Sequence, residues 1–420
     1  MDNPGQRAAY GGMANDRQDV AIIGGGLNGP ALAGALAGAG LRVTVVDARA
    51  AEERAGAAFD GRAYALAIAS VRLLGAVGVW PALAREAQPM RKVIAMDGRP
   101  GEAPSPLNLT FDSAEIEEGA VGQMVEDRHL YAAFLQAMRD HPNITHLPAS
   151  EVADHRAEAA GAVALLADGG AVAARLIVAA DGRASPSARR AGIGRTGHGY
   201  GQTALVAALS HTVPHEGMAR QIFFPNGPLA LLPLTGNRVS VVWSETDANA
   251  AAIARLDDGR FLEVLGDRIG GLLGGLTLAG PRFSYPLSLT LADRYVGARL
   301  ALLGDAAHGV HPVAGQGLNL GLRDVAVLAE VLVAAHRRGE DIGAEGVLQR
   351  YQSWRRPDAT RLALGMDGVN QLFSNDLPGL RLARDAGLSV VGQIGPLRRA
   401  FMRQAAGLTQ DARLLTGKAL

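Results

Sequence analysis

The stretch Asp19-Val20-Ala21-Ile22-Ile23-Gly24-Gly25-Gly26-Leu27-Asn28-Gly29 decides the fold of the first part of this chain. Its apolar, β-branched start is typical of a strand buried in a parallel sheet. The Ala/Leu-rich residues 27–39 predict a helix that ends at Gly40, and residues 41–47 predict a second strand. The chain therefore opens with a strand–helix–strand unit.

The glycines of this stretch match the pattern GxGxxG through Gly24, Gly26 and Gly29. The first glycine permits a tight turn, the second lets a pyrophosphate approach the backbone, and the third lets helix and strand pack closely. The helix N-terminus offers free N–H groups to the phosphates. Asp47, which ends the second strand, is placed to accept hydrogen bonds from ribose hydroxyls. We expect a dinucleotide site; a glycine-rich turn in a plain α/β fold is the alternative.

A second match to GxGxxG spans residues 192–197. Polar residues precede it and His198-Gly199-Tyr200 follows, so it lacks both the strand and the helix that a dinucleotide site requires. We interpret this segment as a loop that crosses between domains. The chain is then expected to bind one dinucleotide in the Rossmann manner.

The middle of the chain has a different pattern. Three short β runs at residues 221–224, 228–233 and 238–243 are separated by turn signals, among them Asn226-Gly227, the strongest short hairpin signal. An apolar strand that ends in Gly304-Asp305 follows, and the chain after about residue 320 is mostly helical in pattern. These features predict an α/β fold: a discontinuous Rossmann-like domain, an inserted antiparallel β-sheet substrate domain and C-terminal helices.

The predicted boundaries follow from these signals. We expect a disordered tail over residues 1–17, a nucleotide-binding domain over 18–85, 105–190 and 285–360, a substrate domain over 86–104 and 191–284, and a C-terminal helical region over 361–420.

Composition excludes several classes of function. The 420 residues carry 41 basic and 41 acidic side chains, so no net charge attracts nucleic acid. Cysteine is absent, which excludes disulfides, thiolate metal sites and a catalytic cysteine. We find neither a signal peptide nor an apolar stretch long enough to span a membrane, and expect a cytoplasmic protein.

Three later motifs carry a family resemblance. Residues 175–182 form an apolar run that ends in Asp181-Gly182, residues 300–308 contain Gly304-Asp305, and residues 311–324 contain Gly315-Gln316-Gly317. In this order they resemble the single-component FAD monooxygenases, the flavoprotein aromatic hydroxylases. The segments 60–66, 122–128 and 227–233 are similar to the ubiquinone-biosynthesis branch, the UbiH/UbiF/VisC type. The resemblance covers residues 19 to about 357.

The resemblance implies a set of site residues. The cofactor-binding set is Gly24, Gly26, Gly29, Asp47, Arg62, Arg128, Asp181, Asp305, Gly317 and Asn319, and the catalytic set is Pro312, Gly315 and Gln316. A carboxylate at position 305 suits the ribityl hydroxyls, and helix capping is its alternative role. The arginines suit a pyrophosphate, with surface salt bridges as the alternative.

The family pattern gives the loop over residues 312–317 a role beside the flavin ring. Backbone N–H groups around Gly315 and Gly317 would face the N1/C2=O edge, where a helix N-terminus stabilises the anionic reduced ring. Pro312 would shape the oxygen-reactive face. Two departures from the family pattern occur: an arginine stands one position late, at Arg189, and Asp127 replaces an asparagine.

Other side chains leave alternatives open. Asp305, His308 and His311 have a spacing that metal sites use, but short loop spacing does not determine geometry, so we predict no metal and structural histidines. The aromatic candidates for a substrate cleft are Phe223, Phe224, Trp243, Phe283 and Tyr285, with simple core packing as the alternative.

The resemblance implies that the protein hydroxylates the aromatic ring of a polyprenylated phenol in ubiquinone biosynthesis, through a C4a-hydroperoxyflavin, with dioxygen as co-substrate and NAD(P)H as electron donor. Two alternatives are another FAD oxidoreductase of the same fold, such as a prenyl reductase, and a flavin-binding assembly subunit. After Pro396, apolar residues follow one helical face and arginines flank it, a pattern that fits peripheral contact with the inner membrane or with a biosynthetic complex, or packing on the protein's own domain.

Overall fold

The computed structural model describes residues 17–54, 59, 61–99, 108–116, 119–311, 315–373 and 394–420. The predicted tail, apart from residue 17, lies outside this range. The strands are β1 (Gln18–Ile23), β2 (Val43–Val46), β3 (Ala63–Ala67), β4 (Gln88–Met90), β5 (Lys92–Asp97), β6 (Asn108–Asp112), β7 (Gly122–Glu126), β8 (Ile144–Leu147), β9 (Val152–Ala157), β10 (Ala162–Leu166), β11 (Ala171–Ala179), β12 (Arg195–His211), β13 (Met218–Phe224), β14 (Gly227–Leu234), β15 (Arg238–Thr246), β16 (Leu276–Leu278), β17 (Phe283–Ala292), β18 (Val296–Gly297), β19 (Leu300–Leu302) and β20 (His308–Gly309).

The α-helices are α1 (Asn28–Gly38), α2 (Ala51–Arg54), α3 (Ile68–Ala76), α4 (Trp80–Leu83), α5 (Asp127–Asp140), α6 (Pro186–Arg190), α7 (Asp247–Ala254), α8 (Asp258–Arg268), α9 (Gln316–Arg337), α10 (Glu345–Phe373) and α11 (Gly395–Ala405). Short 3₁₀ turns lie at Ser113–Glu115, Gly304–Ala306 and Arg413–Thr416.

The first sheet is built around parallel strands. Its order is β18-β19-β11-β1-β2-β8, and β1 pairs in parallel with both β11 and β2. Strand β10 pairs antiparallel with β11, and β9 pairs antiparallel with β10. The strand–helix–strand start predicted from residues 19–47 is confirmed as β1, α1 and β2. Because β1, β11 and β19 run parallel, the turns that follow them meet at one sheet edge.

The second sheet is mainly antiparallel. Its order is β20-β17-β12-β15-β14-β13-β5-β6, and β16 pairs with β12. The predicted three-strand meander is confirmed as β13, β14 and β15, each somewhat longer than its apolar run. A small third sheet has the order β3-β7-β4. The fold is therefore α/β with a separate antiparallel sheet and a helical C-terminal region, as predicted.

Two details differ from the sequence interpretation. The second GxGxxG segment is a loop only up to Gly194, because β12 begins at Arg195 and pairs with β17. The predicted boundaries at residues 105 and 285 also separate strands that pair: β6 with β5, and most of β17 with β12. The division into two domains stays a prediction, and the antiparallel sheet includes these strands.

Candidate active site

A cavity of about 440 Å³ lies where the parallel-sheet turns face the antiparallel sheet. One wall comes from the turns after β1, β11 and β19 and from the start of α9, and the other comes from β13, β14, β15 and β17. The lining includes Gly26, Leu27, Asn28, Tyr64, Gly182, Arg183, Asp305, Gly315 and Gly317 on the first side, and Gln221, Ala230, Leu232, Val242 and Tyr285 on the second.

The glycine turn after β1 has no space for side chains at two of its predicted positions. Gly24 has φ +116°, and a Cβ there would lie 2.3 Å from the carbonyl oxygen of Ala180. A Cβ on Gly29 would lie 2.0 Å from the carbonyl oxygen of Gly24. No side chain caps the N-terminus of α1, so its backbone N–H groups are available to an anionic ligand. Gly26 lines the cavity itself.

Asp47 lies directly against this turn. Its Oδ1 accepts a hydrogen bond from the backbone N–H of Arg49 at 3.1 Å, whereas Oδ2 is buried without a partner among the described residues. A Cβ on Gly25 would lie 2.3 Å from that Oδ2, so the carboxylate sits against the glycine backbone. A buried acceptor beside a phosphate-binding turn fits the ribose hydroxyls of a dinucleotide.

The Asp305 turn forms the opposite end of this wall. The Asp305 side chain is 43 % exposed, and one of its carboxylate oxygens lies 3.9 Å from Nε of Arg183. Arg195 holds the turn from below by donating to the carbonyl oxygens of Ala306 and Asp305, at 2.9 and 3.1 Å. The backbone is therefore fixed while the carboxylate remains open to the cavity, as a ligand for ribityl hydroxyls requires.

A buried ionic cluster supports the same turn from α9. Asp324 accepts hydrogen bonds from the Gly304 backbone N–H at 3.0 Å and from Nε of Arg355 at 2.7 Å, and its Oδ2 lies 2.6 Å from Nε2 of His308. Burial alone would raise the pKa of Asp324, but His308 and Arg355 outweigh it and hold that pKa below its ordinary value. A carboxylate held ionised by these partners ties α9 and α10 to the start of the Asp305 turn.

The Asn319 side chain is hydrogen-bonded within the protein through both its oxygen and its nitrogen. Its Oδ1 accepts from the Ala67 backbone N–H and from Ser70 Oγ, and its Nδ2 donates to the carbonyl oxygens of Ala65 and Gly315. Both amide hydrogens are therefore used within the protein. Contact between this side chain and the flavin ring stays a prediction, and the geometry favours a role in fixing Gly315, which begins the loop-to-helix transition at φ +63°.

The two predicted arginines lie outside the cavity lining. Arg62 pairs with Asp127 at 3.3 Å, and Arg128 donates from Nε to Glu126 at 2.7 Å. The Arg128 guanidinium also lies 5.4 Å from the ring centre of Phe59. These are the salt-bridge arrangements that the sequence left open as the alternative, and a pyrophosphate contact of either arginine stays a prediction.

Asp181 forms hydrogen bonds within its own loop. Its carboxylate accepts from Ser185 Oγ at 2.6 Å and from the Ser187 backbone N–H at 2.9 Å, which organises the start of α6. Arg189, the departure from the family pattern, is exposed on that helix. The residue that reaches the cavity is Arg183, which the sequence interpretation missed; its position directly after Asp181-Gly182 was the available signal.

The remaining predicted residues divide between the helix start and the aromatic set. Gly315 and Gly317 line the cavity, Gln316 is the first residue of α9, and Pro312 lies outside the described residues. Of the five candidate aromatics only Tyr285 lines the cavity; Phe223, Phe224 and Trp243 are buried, and Phe283 is partly exposed. On this side, the apolar lining of the cavity comes instead from Ala230, Leu232 and Val242.

The two motif histidines have separate surroundings. His308 pairs with Asp324, whereas His311 lies edge-on to Tyr200 with ring centres 5.0 Å apart. In the described part of the chain, no group of three or more metal-ligating side chains comes together. Both ring nitrogens of His311 are buried without a hydrogen-bond partner among the described residues.

Burial, reinforced by the positive charge of Arg183, lowers the pKa of His311 from 6.5 to about 4. The unfolded chain therefore takes up a proton at His311 at a higher pH than the folded protein does, so this residue costs stability as pH falls from 6.5 towards 4. We expect His311→Phe to remove about 2–2.5 kcal/mol of the stability that is lost between pH 7 and pH 4.5. Urea unfolding of both proteins at pH 7 and pH 4.5 measures it, and equal pH dependence in the two would contradict the assignment.

Taken together, these residues fit an FAD molecule. The glycine turn has no room for side chains, Asp47 keeps a buried unpartnered oxygen beside it, and the Asp305 carboxylate opens into the same cavity as the start of α9. A glycine turn at a helix N-terminus, an open carboxylate and a second helix N-terminus are groups that suit the diphosphate, the ribityl chain and the flavin ring of that cofactor.

Comparison with known proteins supports this fit. A family model described as an FAD binding domain matches residues 17–364. The chain is 46 % identical to ubiquinone hydroxylase UbiL of Rhodospirillum rubrum, over 97 % of this chain and 93 % of that protein. It is 37 % identical to 3-demethoxyubiquinol 3-hydroxylase of Escherichia coli, over 94 % of this chain and 100 % of that protein.

Solved structures with similar folds include p-nitrophenol 4-monooxygenase PnpA of Pseudomonas putida, with a TM-score of 0.78, 19 % identity and coverage of 92 % of this chain and 97 % of that one. PqsL of Pseudomonas aeruginosa has a TM-score of 0.72, 24 % identity and coverage of 89 % and 99 %. At these identities the likeness concerns the fold.

Proposed function

The chain belongs to the FAD binding domain family of FAD-dependent monooxygenases that includes the ubiquinone hydroxylases, and from this premise we propose that it hydroxylates the aromatic ring of a polyprenylated phenol in ubiquinone biosynthesis. The observation that carries the proposal is the cavity in which the turns after β1, β11 and β19 face the apolar residues of β14 and β15. Such an arrangement allows a flat aromatic ring to lie against a flavin.

Different residues along the cavity are proposed to bind different parts of FAD. The α1 N-terminus and Gly26 bind the diphosphate, Asp47 the ribose and Asp305 the ribityl hydroxyls. Backbone N–H groups at the start of α9 would direct positive potential towards a flavin ring bound in the cavity and would stabilise the negative charge of its reduced form. When bound, FAD supplies the electron transfer and dioxygen activation.

The opposite wall positions the substrate. Ala230 and Leu232 are alternate residues of β14 and so share one face of the sheet, and Val242 of β15 pairs with Ala230. These side chains present an apolar surface that excludes water and orients a hydrophobic phenol. Arg183 and Asp305 supply the charged groups at the boundary with the cofactor side.

The direct test uses purified protein with FAD, NADPH, isotopically heavy dioxygen and a short-chain prenylated phenol. We expect a product that is heavier by one labelled oxygen atom, detected by mass spectrometry, and no product from Asp305→Ala. Reduction of prenyl double bonds without oxygen incorporation would favour the prenyl reductase alternative. Flavin binding without any turnover, combined with a requirement for the chain in a biosynthetic complex, would favour an assembly role.

We further propose NAD(P)H as the electron donor, bound transiently at the surface, because the second GxGxxG segment is not followed by a helix. Mixing the FAD-loaded protein with NADH or NADPH under anaerobic conditions tests this. We expect bleaching of the flavin absorption that accelerates when the phenol is present. Failure of both nucleotides, together with reduction by another reductase, would overturn the donor assignment and leave the hydroxylation untouched.

We also propose that the C-terminal helices contact the membrane peripherally. This proposal rests on the hydrophobic substrate proposed above. None of the helices in the described part of the chain combines the length and apolarity that crossing a bilayer requires. Leu364 of α10 is 55 % exposed and Phe401 of α11 is 51 % exposed, and Arg399 and Arg403 are near Phe401 on its helix. Exposed apolar residues beside arginines suit an anionic lipid surface.

Vesicle flotation tests this contact. We expect the protein to float with phosphatidylglycerol-containing vesicles and Phe401→Glu to lose most of that binding. The matched control is Val264→Glu on α8, where another apolar side chain is 37 % exposed without such a role. Flotation that is unchanged in Phe401→Glu, or equally weakened in both variants, would contradict the proposed contact.

A further inference from the structure

Asn28 occupies a position that the GxGxxG pattern leaves unspecified. It is the first residue of α1, it directly precedes Gly29, and it lines the cavity beside Gly26. Nothing in the physical reasons for the three glycines requires an amide here. Its side chain therefore calls for a separate explanation.

The Asn28 side chain fills the space in front of two glycines that are far away in sequence. A Cβ on Gly304 would lie 2.3 Å from Asn28 Nδ2. A Cβ on Gly321 of α9 would lie 2.3 Å from Nδ2 and 2.6 Å from Oδ1 of the same residue. One amide thus separates the start of α1 from the Asp305 turn and from α9, the three segments that form the cofactor side of the cavity.

The same amide is incompletely satisfied. Asn28 Oδ1 is buried and has no hydrogen-bond partner among the described residues. A buried polar atom without a partner costs about 1–3 kcal/mol, so such atoms are found where a ligand or water completes the hydrogen bonds. The Gly304 backbone N–H beside it already donates to Asp324, so this group does not complete the hydrogen bonding of Asn28 Oδ1.

We propose that Asn28 is a cofactor-positioning residue: its amide sets the gap between the glycine turn and the Asp305 turn, and its Oδ1 would accept a hydrogen bond from a ribityl hydroxyl of FAD close to the diphosphate. The inference rests on FAD as the cofactor. Gly26 and Asp305, the expected diphosphate and ribityl partners, line the same cavity as Asn28. Asn28 is two residues after Gly26, and its amide lies against Gly304, the residue before Asp305. The amide takes the space that a Cβ would need at both Gly304 and Gly321, and at Gly304 the φ of +60° favours glycine as well.

Titration of apoprotein with FAD, followed by flavin fluorescence, tests the hydrogen bond. We expect Asn28→Ala to raise the FAD dissociation constant about tenfold. Asn28→Asp is nearly isosteric but places a negative charge near the diphosphate, so we expect a rise of about a hundredfold that added salt reduces. Apoprotein melting temperatures should stay close to wild type for both variants, and Asn28→Ser provides a second small variant if the Asp variant does not fold.

The two glycines provide a steric test with its own rescue. Gly321→Ala places a methyl group against the Asn28 amide, so we expect weakened FAD binding and a lower apoprotein melting temperature. In the double variant Asn28→Ala/Gly321→Ala the clash is gone, so its melting temperature should recover and its FAD affinity should equal that of Asn28→Ala alone. Such non-additivity marks a direct contact.

The outcomes separate this inference from the function. Asn28 variants that keep wild-type FAD affinity would overturn the positioning role. Equal losses of FAD affinity in the Ala and Asp variants, each matched by a lower melting temperature, would also overturn it. In both cases Asp305→Ala would still lose the cofactor. Absence of hydroxylated product alongside the expected FAD affinities overturns the proposed substrate instead. The flavin absorption spectrum of each loaded variant gives a further readout that does not depend on turnover.

Discussion

Asp305→Ala should purify almost free of flavin, as a folded and nearly colourless protein. The carboxylate lines the cavity and is 43 % exposed, so its removal leaves little buried surface unsatisfied, and Arg195 still holds the backbone of the turn. A charged acceptor contributes about 1.5–3 kcal/mol for each hydrogen bond to a ligand hydroxyl. Two such bonds correspond to a loss of FAD affinity of roughly a hundredfold or more.

The measurement is the ratio of flavin to protein absorbance, followed by FAD titration of the apoprotein. Asp293→Ala is the matched control, because Asp293 is another exposed carboxylate, one that accepts from Thr196 Oγ1 and lies outside the cavity lining. It should retain full flavin content. Full flavin content in Asp305→Ala as well would remove the ribityl assignment.

Gly29→Ala should lose both stability and cofactor. The added Cβ would lie 2.0 Å from the carbonyl oxygen of Gly24 and 3.3 Å from Ile22 Cγ2. The first neighbour is backbone within the glycine turn, so relief requires α1 to move away from β1. Overpacking of this kind costs about 1–3 kcal/mol, and we expect a loss at or above the upper end, with FAD binding abolished.

Gly38→Ala is the control within the same helix. A Cβ there has no heavy atom within 4 Å, and the residue is already helical, so this change should be neutral or stabilising by up to about 1 kcal/mol. Urea unfolding gives the free energy of unfolding of each variant, and FAD titration gives its dissociation constant. The two variants then separate the effect of the close backbone approach at Gly29 from the ordinary helix propensity of alanine. Equal stability in the two variants would show that the glycine turn tolerates a side chain.

The local elements could be predicted from the sequence because their causes are local. Apolar runs bounded by glycine predict β1 and β2, and Asn226-Gly227 predicts the hairpin between β13 and β14; all are confirmed. Cofactor and reaction class were also predicted, from the order of three motifs rather than from any one of them, and the family comparison confirms both.

The side-chain partners could not be predicted, because they join residues far apart in the chain. Asp181 and Asn319 are polar residues in the right motifs, yet their hydrogen bonds go to Ser185 and to Ala67. The composition of a motif shows which groups are present, whereas only the fold shows which of them remain open to a ligand. The same limit applies to Arg128, whose guanidinium pairs with Glu126.

What the sequence determined by itself is the strand–turn–helix of the glycine motif, since the bare Cα needed at Gly29 results from the carbonyl oxygen of Gly24, a near neighbour in the chain. What only the tertiary structure decided is the shape of the cavity. Both faces of β14 are apolar in sequence. In the fold, Leu229 and Leu231 pack in a core with residues of α7 and α8, which leaves Ala230 and Leu232 on the face that lines the cavity. Likewise, the place of Asn28 depends on Gly304 and Gly321, which chain folding alone brings within contact distance.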